Sequence, residues 1–268
     1  MIPVIITVTA IIILLLLAVG GRRAGKRFAE FEGKAIAHRG LHKKPEIPEN
    51  SLPAFALAVE KGYGIELDLH LLADGGLAVF HDDTLIRTTG KEGRVKELNT
   101  ADLKDYKLEG TEETIPTFSQ VLKLVDGKVP LVIELKNEGN AAGLCRATLA
   151  ALEGYNGPWC IESFDPRPLF WLRRNAPQVL RGQLSQNFLK EKSGLILPLR
   201  FILTTLWLNF LTRPDFTALR FSDRNNLFNQ ICLKLWGVKG FVWTIISQED
   251  FNRAENEGYI SIFEQFEP

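Results

Sequence analysis

Short apolar runs alternate with helical patterns along most of this 268-residue chain, and this alternation limits the possible folds more than any other feature. Apolar runs of this length predict strands. We predict eight strands, at 35–37, 65–69, 77–81, 131–136, 159–164, 179–184, 216–221 and 241–245. We predict helices between them, at 51–61, 118–125, 141–152, 167–175 and 248–256. Strict alternation of strands and helices is typical of a (β/α)8 TIM barrel, an α/β fold, in one domain.

The alternative fold for such a pattern is an open, doubly wound sheet. That fold binds a nucleotide phosphate through a Gly-rich first turn, and neither this fingerprint nor another phosphate-cradling loop occurs in the sequence. In a barrel, polar residues at the C-terminal ends of the strands converge on one mouth, where active sites are built. The sequence predicts that Trp243 and residues 163–165 reach this mouth.

Three acidic residues lie within apolar strand patterns. Glu66 and Asp68 are two residues apart, so both point to the same face of a strand. Two carboxylates on a packed face repel each other unless a cation lies between them. Glu134 occupies a similar position in a later strand and shares its face with Lys136. The pattern predicts a site for a hard divalent cation, held by the three carboxylates.

Two of the four histidines stand where a predicted strand meets a turn. His38 opens the sequence His38-Arg39-Gly40, and His81 opens His81-Asp82-Asp83. Histidines, carboxylates and an arginine together are the groups required for metal-assisted chemistry on a phosphate. His42 lies in a loop, and His70 is assigned to the strand face opposite the acids. We therefore expect both of these to be bystanders.

The ordered motifs resemble those of the glycerophosphodiester phosphodiesterase family. The resemblance covers residues 34–268 and is most specific in the first half of the chain. It is carried by His38-Arg39-Gly40, Pro48-Glu49-Asn50-Ser51, Glu66-x-Asp68, Val79-Phe80-His81-Asp82, Leu85-x-Arg87-x-Thr89-Gly90 and Glu134-x-Lys136. The last segments, 243–247 and 258–266, depart from the usual family pattern in the region that shapes the leaving-group end of the mouth.

The resemblance implies a hydrolase on a (β/α)8 barrel that converts glycerophosphodiesters to glycerol 3-phosphate and an alcohol with a bound divalent cation, Mg²⁺ or Ca²⁺. It places Glu66, Asp68 and Glu134 on the metal ligands, and His38 and His81 on the acid/base pair. It also places Arg39 and Lys136 on phosphate contacts, and we add Glu49 and Trp243 as substrate-binding residues. Which histidine acts as the acid stays open.

Two other functions are considered for the same barrel. The first is lysophospholipase D-like hydrolysis of lysophospholipids, suggested by the strongly apolar segment 195–211 and by the N-terminus. The second is a phospholipid-binding protein without turnover, which the intact catalytic motifs disfavour. Segment 195–211 is interpreted either as a barrel helix or as an apolar flap that contacts lipid.

The N-terminal segment differs in composition from the rest. Residues 2–20 carry no charge, and as a helix they would extend about 28 Å, close to the thickness of a hydrocarbon core. A basic cluster follows, Arg22, Arg23, Lys26 and Arg27. A signal peptide carries its charge before the apolar run, so we predict a single transmembrane helix within an anchor segment, residues 1–27. The positive-inside rule then predicts a cytoplasmic catalytic domain, residues 28–268.

Charge and cysteine content exclude some classes of partner. Four of the 32 basic residues lie in the cluster at 22–27, and all 32 acidic residues lie beyond it, which leaves the remainder with a net charge of −4. Nucleic acid is therefore not an expected partner. The three cysteines, Cys145, Cys160 and Cys232, have neither metal nor redox spacing and are predicted to be thiols in the core.

Overall fold

A computed structural model describes residues 2–23, 25–191 and 194–268, and within them nine strands form one sheet. The strands are β1 (Ile36–Ala37), β2 (Gly64–Leu71), β3 (Leu77–Val79), β4 (Leu131–Leu135), β5 (Trp159–Ser163), β6 (Arg181–Ser185), β7 (Phe216–Arg220), β8 (Lys239–Ile245) and β9 (Ile260–Phe263). All pair in parallel except β3, and β1 pairs with both β2 and β9. The pairing of β1 on both sides closes eight strands into a barrel, which confirms the predicted fold.

Helices surround the barrel. They are α1 (Ile2–Ala18), α2 (Leu52–Lys61), α3 (Ile86–Thr89), α4 (Phe118–Val125), α5 (Ala141–Ala151), α6 (Pro166–Asn175), α7 (Leu197–Thr204), α8 (Asn209–Thr212), α9 (Leu227–Trp236) and α10 (Gln248–Asn256). Short 3₁₀ helices lie at Lys26–Glu30, Val95–Glu97, Thr100–Asp105 and Phe221–Asp223. Local sequence sets several helix starts: the Ser51 hydroxyl caps α2, and Thr117 caps α4 in a capping box with Gln120. The five predicted helices all form.

The predicted set of eight barrel strands contains one error. The apolar run at 77–81 forms β3, which pairs antiparallel with the end of β2 and lies outside the barrel. The eighth barrel strand is β9, which pairs in parallel with β8 and β1 and was not among the predicted strands. An apolar run has the same local pattern whether its partner strand is parallel or antiparallel, so the sequence did not separate the two.

The barrel interior is apolar at one end and acidic at the other. At the N-terminal ends of the strands, Phe28 and Phe31 of the chain before β1 pack against Phe216 and Phe241 inside the barrel. Gly182 permits this packing, because a Cβ there would lie 1.9 Å from the Phe216 ring. We call this end the base. At the other end, the interior positions carry carboxylates, so the polar chemistry is confined to the mouth.

The segment after α1 is attached to the base. Val19 is fully buried, and the backbone N–H of Arg22 donates to the Pro214 carbonyl at 2.9 Å. The Arg22 guanidinium lies 2.6 Å from the buried carboxylate of Asp215, immediately before β7. These contacts account for the end of α1 at Ala18, since the residues that follow belong to the packed barrel.

Within the described residues, the structure contains no helix that combines the length and the apolar character needed to cross a membrane. α1 has 17 residues, which corresponds to about 26 Å against a hydrocarbon core of about 30 Å. The prediction of a transmembrane helix over residues 2–20 is therefore not supported, nor is membrane anchoring through it. The cytoplasmic placement of the catalytic domain depended on that helix and stays a prediction.

Segment 195–211 contributes mainly to the barrel wall. It contains α7 and the start of α8, and the Arg173 guanidinium of α6 donates to the Phe210 and Leu211 carbonyls at 2.6 and 2.8 Å. Residues 195–197 are exposed beside the mouth, at the end of the segment nearest β6. The helix interpretation therefore fits most of the segment, and contact with lipid stays a prediction.

The three cysteines are buried and free, as predicted.

Candidate active site

Three strands bring four carboxylates together inside the barrel, three of them at one level of the sheet register. In the sheet register, Asp68 of β2 lies opposite Glu134 of β4, and Glu134 lies opposite Glu162 of β5. Glu66 lies on the same face of β2 as Asp68. All four side chains are buried, with residue exposures of 7% or less. Single ligand oxygens of Glu66, Asp68 and Glu134 all lie within 4.8 Å of one another, the arrangement required to hold a cation.

The carboxylates perturb one another strongly. Burial raises the pKa of Glu66 well above its usual value, and Asp68 and Glu134 raise it further. Burial also raises the pKa of Glu134, against the opposing effect of Lys136. At Asp68 the effect of burial is outweighed by Lys136 and other cationic neighbours, so its pKa falls below the usual value. Lys136 thus compensates only part of the negative charge, with its Nζ atom 2.8 Å from Glu134 and 3.0 Å from Asp68.

His38 is held by a carboxylate at the end of the last strand. Its Nδ1 lies 2.8 Å from an oxygen of Glu264, which follows β9 directly. A carboxylate only accepts, so Nδ1 carries the hydrogen and Nε2 keeps its lone pair. The Nε2 atom faces the carboxylates, 3.9 Å from Glu66. Burial lowers the pKa of His38 in spite of the hydrogen bond to Glu264, so a neutral imidazole faces the site at pH 7.

His81 is held in the same way by the next residue. Its Nδ1 lies 2.6 Å from Asp82, so this ring also presents Nε2 as its free nitrogen. Burial lowers the pKa of His81 to about 4. Asp82 is in turn bound by Arg87, which also donates to Glu49. The site therefore contains two imidazoles, each oriented by its own carboxylate.

The turn after β1 is shaped by positive backbone φ angles. Arg39 has a φ of 55° and Gly40 a φ of 79°, and a Cβ on Gly40 would lie 2.9 Å from atoms of Ala54 and Phe55 in α2. Glycine is therefore required at this close approach. Arg39 itself adopts a left-handed conformation that L-residues rarely take, a type of strain that clusters at functional sites.

This turn brings Arg39 to the carboxylates. Its backbone N–H donates to Glu66 at 3.0 Å, and its guanidinium donates to Glu49 at 2.8 Å. Asn50, with a φ of 53°, donates its side-chain amide to Asp68 at 2.8 Å. Burial works to raise the pKa of Glu49, but Arg87, Arg39 and Lys44 outweigh burial and hold that pKa well below its usual value. Glu49 is therefore an ionised anchor for Arg39.

Two connected cavities open at the mouth. The inner cavity, of about 120 Å³, has Phe164 and Trp243 as its apolar wall, and its polar lining includes His38, His81, Glu66, Glu134 and Glu162. The Trp243 ring meets Phe164 edge-on at 5.6 Å, and its indole N–H donates to the Ala218 carbonyl at 3.1 Å. The outer cavity, of about 890 Å³, shares His38 and Arg39 with the inner one and extends past Lys44 and Glu264. A small anionic group has room at the carboxylates while a second group extends outward.

Sequence comparison assigns this chain to a family. The model of the Glycerophosphoryl diester phosphodiesterase family matches residues 38–195, more than half of the chain. A glycerophosphodiester phosphodiesterase of Caldanaerobacter subterraneus subsp. tengcongensis is 34% identical over 83% of this chain and 90% of the relative. The chain belongs to the glycerophosphoryl diester phosphodiesterase family. It is therefore a phosphodiesterase, as its motifs predicted.

Solved phosphodiesterase structures share the fold. An Oleispira antarctica phosphodiesterase in complex with the product sn-glycerol-3-phosphate has 25% sequence identity and a TM-score of 0.71, covering 88% of this chain and 94% of that chain. A Thermotoga maritima glycerophosphodiester phosphodiesterase, 23% identical, has a TM-score of 0.65 over 86% of this chain and 94% of its own. This phosphodiesterase therefore has the same barrel fold as these solved structures.

The predicted site residues of this phosphodiesterase converge on the mouth. The predicted metal ligands form the carboxylate cluster, His38 and His81 border it, and Arg39, Lys136, Glu49 and Trp243 lie around it. Their individual roles stay predictions. Two residues of the site were missed. Glu264 follows a strand that was not predicted, whereas Glu162 lies at an interior strand position and shows the same alternation as Glu66.

The other two histidines lie nearer the site than expected. His70 was assigned to the strand face opposite the acids, which is wrong, since it follows Asp68 by two residues in a continuous strand. Its ring is buried and contacts Glu138 at 3.2 Å and the His81 carbonyl at 3.4 Å. His42 lines the outer cavity, with Nε2 3.6 Å from Glu264.

A second set of potential ligands, His70, Asp83 and Glu138, also lies close together. Here the Arg94 guanidinium pairs with both Asp83 and Glu138, and Lys96 lies 3.6 Å from Glu138. Positive side chains already neutralise these acids, so this set lacks the uncompensated charge of the carboxylate cluster in the phosphodiesterase site.

Proposed function

We propose that this phosphodiesterase hydrolyses glycerophosphodiesters to glycerol 3-phosphate and an alcohol, that the reaction depends on Mg²⁺ or Ca²⁺, and that residues 28–268 form the catalytic domain. The observation that carries the proposal is the cluster of buried carboxylates bordered by two imidazoles, each bound at Nδ1 by a carboxylate. The Oleispira antarctica relative, in complex with sn-glycerol-3-phosphate, supports the choice of product.

The donor set of the cluster fits a hard divalent cation. Glu66, Asp68 and Glu134 offer oxygen ligands, and their mutual repulsion is only partly relieved by the protein's own cations. Such an ion, when bound, neutralises charge on the non-bridging phosphate oxygens. Mg²⁺ and Ca²⁺ both accept carboxylate oxygens, so the proposal includes either ion.

The two histidines supply the proton transfers. One imidazole takes a proton at Nε2 from the attacking oxygen as that oxygen bonds to phosphorus. The oxygen belongs either to water, which gives glycerol 3-phosphate directly, or to the neighbouring glycerol hydroxyl, which gives a cyclic phosphate that water then opens. The bond from phosphorus to the departing alcohol oxygen then breaks, and the other imidazole, in its protonated form, donates a proton to that oxygen. Glu264 and Asp82 keep each Nε2 directed at the cavity. General acid–base catalysis of this kind contributes about 10²–10⁴-fold.

Cationic side chains position the phosphate. Arg39 reaches the inner cavity and is held by Glu49, while the ammonium group of Lys136 lies between Asp68 and Glu134. Fixed positive groups that stabilise charge developing in the transition state commonly contribute several kcal/mol. Trp243 and Glu49 line the cavities where the glycerol and the departing alcohol are held.

A product assay tests the proposal. Glycerophosphocholine, glycerophosphoethanolamine and glycerophosphoglycerol are each incubated with the full chain and Mg²⁺ or Ca²⁺, and glycerol 3-phosphate is measured. We expect release from at least one diester, and no release by the Asp68→Ala variant. Lysophospholipids form a separate arm for the alternative activity, which the named relatives do not favour. Turnover of lysophospholipids alone would refute the proposed substrate class.

A further inference from the structure

Glu162 is a buried carboxylate to which the proposed reaction assigns no role. It lies in β5 between Ile161 and Ser163, with 1% of its surface exposed. Its Oε2 atom is buried and has no hydrogen-bond partner among the residues that the structure describes. An ionised carboxylate transferred to the interior without a partner costs several kcal/mol, so the ionised form of Glu162 requires a cation close to it.

The side chains beside Glu162 do not provide that compensation. Its register neighbour in β4 is Glu134, a second carboxylate, and its register neighbour in β6 is Gly182, which has no side chain. The Lys136 ammonium group lies 2.8 Å from Glu134 and 3.0 Å from Asp68, so it is already paired twice. Glu162 lines the inner cavity together with Glu66 and Glu134. A cation that balances the charge of Glu162 therefore has room at the centre of the carboxylate cluster.

We propose that Glu162 is a fourth carboxylate donor for the divalent cation at Glu66, Asp68 and Glu134. This inference rests on the proposed function, because it concerns the same cation. Four carboxylates face two side-chain cations, Arg39 and Lys136, so in their ionised forms two negative charges have no cationic partner within the cluster. One divalent cation balances that charge.

The register supports this assignment independently of the charge count. Asp68, Glu134 and Glu162 occupy corresponding interior positions on three adjacent strands. Side chains at one level of a barrel interior point to the same central region. A ligand to an ion between Asp68 and Glu134 is therefore expected from the next strand, and β5 supplies a carboxylate at that position.

Binding of Mn²⁺ to the metal-stripped full chain tests the proposal without any substrate. Free Mn²⁺ is measured by electron paramagnetic resonance for the wild type and for Glu162→Gln, which keeps the shape of the side chain and removes its charge. We expect the dissociation constant to rise by about 10–100-fold, the usual effect of removing a group that supports a metal site. Glu153→Gln, at an exposed glutamate outside the site, is the matched control and should bind like the wild type.

Two further measurements separate the role of Glu162 in binding from a role in folding. The melting temperature without metal should be equal or higher in Glu162→Gln, since one buried charge is removed. Added Mn²⁺ should raise the melting temperature of the wild type more than that of the variant, because only ions bound to the native state stabilise it. Glu162→Asp, which keeps a carboxylate, should bind Mn²⁺ more tightly than Glu162→Gln.

Equal dissociation constants for the wild type and Glu162→Gln would overturn the proposal, and so would a wild type that binds no Mn²⁺. A different result would refute the proposed function. A chain whose Mn²⁺ binding depends on Glu162 but which releases no glycerol 3-phosphate would refute the proposed reaction and keep this inference.

Discussion

His38 and Glu264 form a hydrogen-bonded pair, 2.8 Å apart, that joins the end of the first barrel strand to the end of the last. The pair is separated by 226 positions in the chain, so it exists only when the barrel is closed. His81 and Asp82 form an equivalent pair from adjacent residues. Each carboxylate fixes a tautomer in which Nε2 faces the cavity.

The first prediction concerns Glu264→Gln. A glutamine amide can donate to Nδ1 and so favour the wrong tautomer of His38, and it removes the charge that stabilises a protonated ring. We expect kcat to fall by at least about tenfold, with KM changed less, because the ring acts in the transition state. Glu257→Gln, whose carboxylate pairs with Arg224 and lines neither cavity, is the control. Equal kcat values for Glu264→Gln and the wild type would contradict the assignment.

The second prediction concerns the two histidines. His38→Ala and His81→Ala should each lower kcat by at least about 10²-fold with little change in KM, since general acid and base act on the transition state. His42→Ala should have a smaller effect, because its ring lies against Glu264 at 3.6 Å and lines the outer cavity only. Steady-state kinetics measure all three variants. If His42→Ala were as damaging as His81→Ala, the assignment of roles would be wrong.

The third prediction concerns the stability of the Glu49 network at different pH values. The pKa of Glu49 is lowered in the folded state, so its ionised form stabilises the fold above the unfolded pKa of about 4.5. This stabilisation by ionised Glu49 is lost as the pH falls from about 4.5 through the lowered pKa of the folded state. We expect Glu49→Gln to reduce the free energy of unfolding by about 2 kcal/mol at pH 7, and by progressively less below pH 4.5. Urea unfolding at both pH values checks this, and a difference that grew on acidification would contradict it.

The fourth prediction concerns the attachment of the N-terminal segment. Arg22→Ala removes the ion pair with Asp215 and the hydrogen bonds to the Pro177 and Val179 carbonyls. The buried Asp215 keeps only its backbone donor at Arg181, so we expect a loss of about 1–3 kcal/mol in the free energy of unfolding. Arg167→Ala, at an exposed pair with Asp165 within one turn, is the control and should cost less. Equal losses in the two variants would show that residue 22 is not part of the packed base.

The sequence predicted the parts of the site that depend on local pattern. The alternation of Glu66 and Asp68 with apolar residues fixes their common face before any partner strand is known, and the histidines precede recognisable turns. The helices capped by Ser51 and Thr117 were predicted for the same reason, since their capping residues are local.

The remaining parts depend on contacts between distant segments. The assignment of 77–81 to the barrel failed because apolar periodicity does not identify the partner strand. Glu264 reaches His38 only through the pairing of β9 with β1, which no local pattern encodes. The predicted membrane span is not supported, and the composition of residues 2–20 does not show that Val19 packs against Leu206, Cys232 and Val238.

The most direct test of the central claim is the release of glycerol 3-phosphate from glycerophosphocholine by chelator-treated enzyme, before and after Mg²⁺ or Ca²⁺ is restored. The wild type should lose turnover on chelation and regain it with the added ion. Asp68→Ala, with an unchanged circular dichroism spectrum, should not regain it, because one of the three carboxylate ligands is missing. Full turnover by the chelated wild type, or restored turnover in Asp68→Ala, would contradict the account.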